Sequence, residues 1–241
     1  TSSAILDALI AGGADMIEVG IPFSDPIADG PVIQAAAERA LRAGVRTADC
    51  FALIRAFRAR HPEMPVGILT YANLVLAGGR DAFYGAAAQA GADSVLVADV
   101  PVLESPPFVD SAQRAGVAPV LIAAANTPAE RLRQIADLGR GYTYCVARPG
   151  VTGADETVRF DHVDMLATLA THGAPPPVLG FGIAPPDHVR AALAAGAAGT
   201  ICGSAIVGLI AEERLGALPG FVREMKRATR GARLCRAAAL V

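Results

Sequence analysis

The sequence predicts an α/β protein of the (β/α)8 barrel class, and three observations carry that prediction. Apolar strand-like runs recur seven times, helical patterns separate them, and loops rich in Gly, Pro and Asp follow many different strands rather than one. A doubly wound sheet would tolerate seven strands, but its chemistry concentrates at a single crevice, whereas a barrel gathers the loops after all its strands at one mouth. The 241 residues suit a barrel of about 250. With 53% hydrophobic and 18% charged residues the chain can bury one large core, and no composition break marks a linker.

The strand candidates are residues 15–20, 65–71, 94–99, 118–123, 141–147, 177–182 and 199–203. Between the first two, helical patterns run from Val32 to Arg42 and from Ala48 to Arg60, broken at Gly44, so one of them is an extra helix on the loop after the Glu18 strand. Thr127-Pro128-Ala129-Glu130 opens a helix over Arg131 to Leu138, with Thr127 as cap and Pro128 in the first turn. Ala184-Pro185-Pro186-Asp187 opens another, ended by Gly196, and a short one runs from Ala205 to Ala211. Seven strands are one short of a closed barrel. The missing first strand would precede Thr1, so residues 1–241 read as one N-terminally incomplete domain.

Charge and composition exclude several function classes. A net charge of −2 without any Lys/Arg run leaves no footprint for nucleic acid or an anionic membrane. No apolar stretch reaches the length of a membrane span, and no secretory pattern opens the chain. Cys50, Cys145, Cys202 and Cys235 lie far apart without a CxxC pair, as reduced core thiols of a cytoplasmic protein would. The four histidines show neither HxH nor HExxH spacing, so no metal is expected.

Glu18 stands out as one carboxylate inside the apolar run Asp15 to Gly20. Alternation places Met16, Glu18 and Gly20 on one strand face. An exposed or salt-bridged strand end would explain a lone Glu; burial would raise its pKa and prepare a general acid or base. The loop beyond it holds Asp25 and Asp29 between Pro22, Pro26 and Pro31. Asp29, just before Gly30-Pro31, either caps the extra helix or faces the mouth. Tyr144 shares a face with Tyr142 and Arg148, and a phenol buried in the lumen needs a polar partner, for which Glu18 is the candidate. Glycines follow the last three strands, in Gly150-Val151-Thr152-Gly153, Gly180-Phe181-Gly182 and Gly203-Ser204. Any one serves a turn; three at one edge, beside a helix N-terminus, point to a bound phosphate.

The string Gly13-Ala14-Asp15-Met16-Ile17-Glu18-Val19-Gly20-Ile21-Pro22-Phe23-Ser24-Asp25-Pro26-Ile27-Ala28-Asp29-Gly30-Pro31 resembles the signature of the tryptophan synthase alpha chain family. Further matches run through Tyr71-Ala72-Asn73, Val97 to Pro101, Gly141 to Tyr144, Arg148 to Gly153, Gly180 to Ile183 and Gly203 to Val207. The resemblance covers essentially the whole chain and implies a TIM barrel that cleaves indole-3-glycerol phosphate to indole and glyceraldehyde 3-phosphate. It makes Glu18 the acid–base catalyst, Asp29 the acceptor of the indole N–H and Tyr144 a positioning phenol. Gly153, Gly182, Gly203 and Ser204 match the phosphate donors, and Leu69, Leu96, Ala98, Ile122 and Phe181 the indole pocket. Thr152 matches a loop that closes over substrate and bonds to the residue matching Asp29.

No cofactor is implied in this chain. The implied partner is a beta chain carrying pyridoxal phosphate in an alpha-beta-beta-alpha heterotetramer, met by Asp25, Pro26, Asn73 and Pro101. Two other readings stand beside this one: a stand-alone lyase with the same site, and a non-catalytic phosphate-binding partner that regulates another enzyme. A Schiff-base aldolase would need a reactive lysine, and the only lysine, Lys226, lies in the C-terminal helical region.

Overall fold

The computed structural model describes residues 2–146, 162–180 and 182–230. Seven strands form one parallel sheet in the order of the sequence: β1 (Ile17–Gly20), β2 (Val66–Thr70), β3 (Ser94–Val97), β4 (Ala118–Ala124), β5 (Thr143–Val146), β6 (Pro177–Gly180) and β7 (Gly199–Thr200). Strictly sequential order is what a curling barrel sheet requires; a doubly wound sheet reverses at a switch point.

Helices return the chain between strands. α1 (Ser2–Gly12) precedes β1, and the first crossover carries both α2 (Pro31–Arg42) and α3 (Thr47–Arg60), the extra helix the sequence predicts. Short α4 (Ala72–Leu76) and α5 (Arg80–Ala90) follow β2, α6 (Pro106–Ala115) follows β3, and α7 (Ala129–Leu138) follows β4. α8 (Val163–Thr171), α9 (Pro186–Ala194), α10 (Ser204–Ala211) and α11 (Leu218–Ala228) complete the layer. α1 packs on α11, where Lys226 Nζ reaches both carboxylate oxygens of Asp15 at 2.5 and 2.6 Å.

Strand alternation divides the apolar side chains into two sets. Ile17, Val66, Ile68, Val95 and Val97 point out into a core shared with α1, α3 and α5, while Cys145 and Leu179 do the same against α7 and α8. The opposite face lines the lumen with Met16, Leu69, Leu96, Ala98, Val120, Ile122, Tyr142, Tyr144, Val146 and Val178. Period-two alternation fixes this division, because a slip of one residue would turn every lumen side chain outward.

Most predicted elements fall within a residue or two of their sequence limits, with two differences. The seventh strand ends at Thr200, since Ile201 to Gly203 turn into a mouth loop. Thr127 is not the cap of α7: its Oγ1 accepts from Ala124 N at 2.9 Å, and Pro128 takes the N-cap place. Cys50, Cys145 and Cys202 are free thiols, and Cys235 lies outside the described residues.

Candidate active site

β1 carries Glu18 into the lumen beside Gly67 of β2, its register partner. From β5's end of the sheet, the hydroxyl of Tyr142 donates to Glu18 Oε1 at 2.5 Å. Burial among apolar walls raises the Glu18 pKa, and the Tyr142 hydrogen bond opposes that rise. Such a carboxyl holds its proton more readily than an exposed one, as a group that must both give and take a proton requires. Tyr142 thus bonds Glu18 directly, and the expected partner Tyr144 feels the Glu18 charge as well. Parity along a strand fixes the shared face but not the depth, and Tyr142 lies two residues nearer the N-terminal end, at the level Glu18 reaches.

Tyr144 is buried one step higher in the lumen, with its ring over Gly180. A Cβ at Gly180 would stand 2.2 Å from the Tyr144 hydroxyl oxygen, so only glycine admits the ring there. Gly67 is less constrained, because a Cβ would lie 2.8 Å from Cε at the flexible end of Met16 and 3.0 Å from Ser94 Oγ.

Asp29 faces the same mouth and caps nothing: Gly30 is the N-cap of α2, with Pro31 at its first position and no side-chain cap bond. Its Oδ2 accepts from the Tyr71 hydroxyl at 2.8 Å, and that hydroxyl accepts from Ala28 N at 3.2 Å. Desolvation raises the Asp29 pKa while Tyr71 lowers it. Across the mouth Gly203 is the N-cap of α10 and Ser204 its first residue, so the first turn presents backbone N–H groups without intrahelical acceptors. Gly182 lies in the loop between β6 and α9, and its carbonyl contacts His188 Nδ1 at 2.9 Å.

Of the expected apolar pocket, Leu69, Leu96, Ala98 and Ile122 come together in the lumen cluster, with Leu96 fully buried and the other three partly so. Thr152, Gly153 and Phe181 lie outside the described residues. Asp25 is exposed on the loop after β1, Asn73 is exposed on α4, Pro101 is exposed after β3, and Pro26 is half-buried. Among the described residues no three His, Cys, Asp or Glu side chains converge as metal ligands would, and no helix is long and apolar enough to cross a membrane.

Sequence reasoning missed Tyr71, Tyr142, Gly67 and Asp99, whose Oδ1 accepts from Ala72 N at 2.7 Å and so anchors the start of α4. Only the tyrosines offered a signal, Tyr71 as a phenol at the end of the strand beside β1 and Tyr142 as one just before β5.

A lumen carboxyl, a second carboxylate at the rim, an apolar floor and an amide-lined anion edge fit a two-part ligand, aromatic at one end and phosphorylated at the other. The family model of the tryptophan synthase alpha chain matches residues 1–231. The chain belongs to the tryptophan synthase alpha chain family. A tryptophan synthase alpha chain from Shewanella amazonensis is 54% identical over 225 residues, spanning 93% of this chain and 84% of that one. Another from Escherichia coli is 53% identical over 232 residues, spanning 94% and 87%. Among solved structures, Mycobacterium tuberculosis tryptophan synthase superposes with a TM-score of 0.86 at 30% identity, covering 95% of this chain and 86% of that one. The tryptophan synthase a2b2 complex of Pyrococcus furiosus gives 0.84 at 37% identity, covering 93% and 92%. The activity of the family is carbon–carbon lyase cleavage of indole-3-glycerol phosphate, a step of tryptophan biosynthesis, and it is the activity of this chain.

Proposed function

We propose that Glu18 carries both proton transfers of this cleavage and that Asp29 stabilises the charge they create. Protonation at C3 of the indole by Glu18 turns the ring into an electrophilic indolenine with positive charge on nitrogen. The Glu18 carboxylate then takes the proton of the C3' hydroxyl; the C3–C3' bond breaks, its electrons return to the ring, and the aldehyde of glyceraldehyde 3-phosphate forms. Asp29 accepts the indole N–H, and a carboxylate there favours the cationic intermediate over the neutral ground state. The observation that carries this reading is the Glu18 carboxyl inside the lumen, desolvated and held by a phenol.

Leu69, Leu96, Ala98, Ile122 and Phe181 form the indole floor, Tyr144 positions the ring, and Gly153, Gly182, Gly203 and Ser204 hold the phosphate. Thr152 closes its loop onto Asp29 and excludes water. Residues 1–241 act as one barrel domain in the cytoplasm.

The partner is a pyridoxal-phosphate beta chain in a heterotetramer, and this chain binds no cofactor of its own. The loops after β1, β2 and β3, neighbours in the sheet, expose Ile27 (73%), Leu76 (46%) and Leu103 (55%) beside Asp25, Pro26, Asn73 and Pro101, an apolar surface suited to a protein partner. Indole release from indole-3-glycerol phosphate, assayed with and without a beta chain, tests the reading. It predicts turnover that rises markedly on mixing; no turnover in the mixture contradicts it, and full turnover alone favours a stand-alone lyase.

A further inference from the structure

We infer that Tyr71 is a positioning residue for Asp29, fixing which carboxylate oxygen faces the ligand. The inference deepens the role proposed for Asp29 and rests on it. Tyr71 follows the last residue of β2, its ring is 1% exposed, and it stacks on Phe23 of the acidic loop with centroids 5.1 Å apart and planes inclined by 28°. The ring therefore has one place to sit.

Its hydroxyl has one hydrogen to give. Because the oxygen accepts from Ala28 N at 3.2 Å, that hydrogen is aimed at Asp29 Oδ2, 2.8 Å away. With Oδ2 so bonded, Oδ1 is the oxygen left to accept from a ligand N–H. Asp99 extends the arrangement by one bond: by accepting from Ala72 N at 2.7 Å it holds the backbone just beyond Tyr71, so the phenol's position is fixed from the neighbouring loop after β3. Among the described residues the titratable groups facing Asp29 are Tyr71, just after β2, and Tyr144 of β5, with Asp99 acting on Tyr71 from beyond, and none of these is a cation. Burial favours its protonated form, and the Tyr71 hydrogen bond is what opposes this.

A ring that served packing alone would tolerate loss of its hydroxyl. Tyr71→Phe keeps the ring and its stacking on Phe23, so the variant isolates the hydrogen bond. In the complex with a beta chain, kcat/KM for indole-3-glycerol phosphate should fall about tenfold, as expected for losing a hydrogen bond to a charged group. The acid limb of its pH profile should move to higher pH, since Asp29 then ionises later. In an Asp29→Asn background the same change should cost nothing further, because the residue it positions has lost its charge. A Y71F enzyme with the parent's rate and pH profile would overturn the inference, and so would a loss that multiplies undiminished onto D29N. A parent that releases no indole would end the Asp29 role and this inference together, whereas an active parent matched by Y71F would count against Tyr71 alone.

Discussion

Tyr142 and Glu18 meet across the lumen, the phenol of one donating to the carboxyl of the other at 2.5 Å although 124 positions separate them in the chain. Desolvation pushes the Glu18 pKa up and the phenol pulls it down, so the acid–base group is set by two opposed contributions. Burial and the neighbouring Glu18 charge together push the Tyr142 pKa far above the ordinary phenol range, which keeps the phenol a donor throughout the working pH range.

Removing the hydroxyl leaves desolvation unopposed. Tyr142→Phe should therefore raise the Glu18 pKa and keep the carboxyl that protonates C3 in its acid form to higher pH, moving the alkaline limb of the profile upward. The measurement is the pH profile of kcat in parent and variant; an unmoved profile would separate Tyr142 from the titration of Glu18.

Gly180 tests the packing beneath Tyr144. An alanine there would place a methyl 2.2 Å from the hydroxyl oxygen and 2.5 Å from Cζ of the buried Tyr144 ring. Gly180→Ala should cost about 1–3 kcal/mol of stability by overpacking and lower kcat/KM by more than an order of magnitude as the phenol is displaced. Denaturant unfolding and steady-state kinetics read the two effects, and a neutral outcome in both would show that Tyr144 can repack freely.

Much of the fold was legible because each strand reads as an apolar run, and because a buried carboxylate among apolar residues marks β1 by itself. Asp29 was ambiguous for a physical reason: Asp before Gly-Pro satisfies the local rules for an N-cap, and only the tertiary approach of Tyr71 draws the side chain away. Thr127 shows the same competition, its hydroxyl claimed by Ala124 N rather than by the first turn of α7. The choice between Tyr142 and Tyr144 could not be made from alternation, since both lie on the lumen face and barrel register decides which reaches Glu18. Gly67 gave no sequence signal, because the need for a missing Cβ arises from Met16 and Ser94 on neighbouring strands.

The opposite end of the barrel should behave differently. Arg58 on α3 donates to the carbonyls of Gly91, Pro62 and Met64 at 2.8 to 3.0 Å and pairs with Asp93, whose carboxylate also accepts from Val66 N. This clasp joins the N-terminal ends of β2 and β3, where barrels build stability rather than catalysis. Arg58→Ala should lower stability by about 2–3 kcal/mol while leaving kcat near the parent value at a temperature where both are folded. A large kcat loss in the folded variant would contradict this division.

The central claim is that the Glu18 carboxyl moves the protons of the cleavage. Glu18→Gln keeps the size and a hydrogen-bond acceptor for Tyr142 but cannot exchange a proton, so the direct measurement is indole release by E18Q in complex with a beta chain, alongside its affinity for indole-3-glycerol phosphate. The account predicts turnover lost by at least a thousandfold, roughly the share assigned to general acid–base groups, with affinity close to the parent's; E18Q turning over at the parent rate would contradict it.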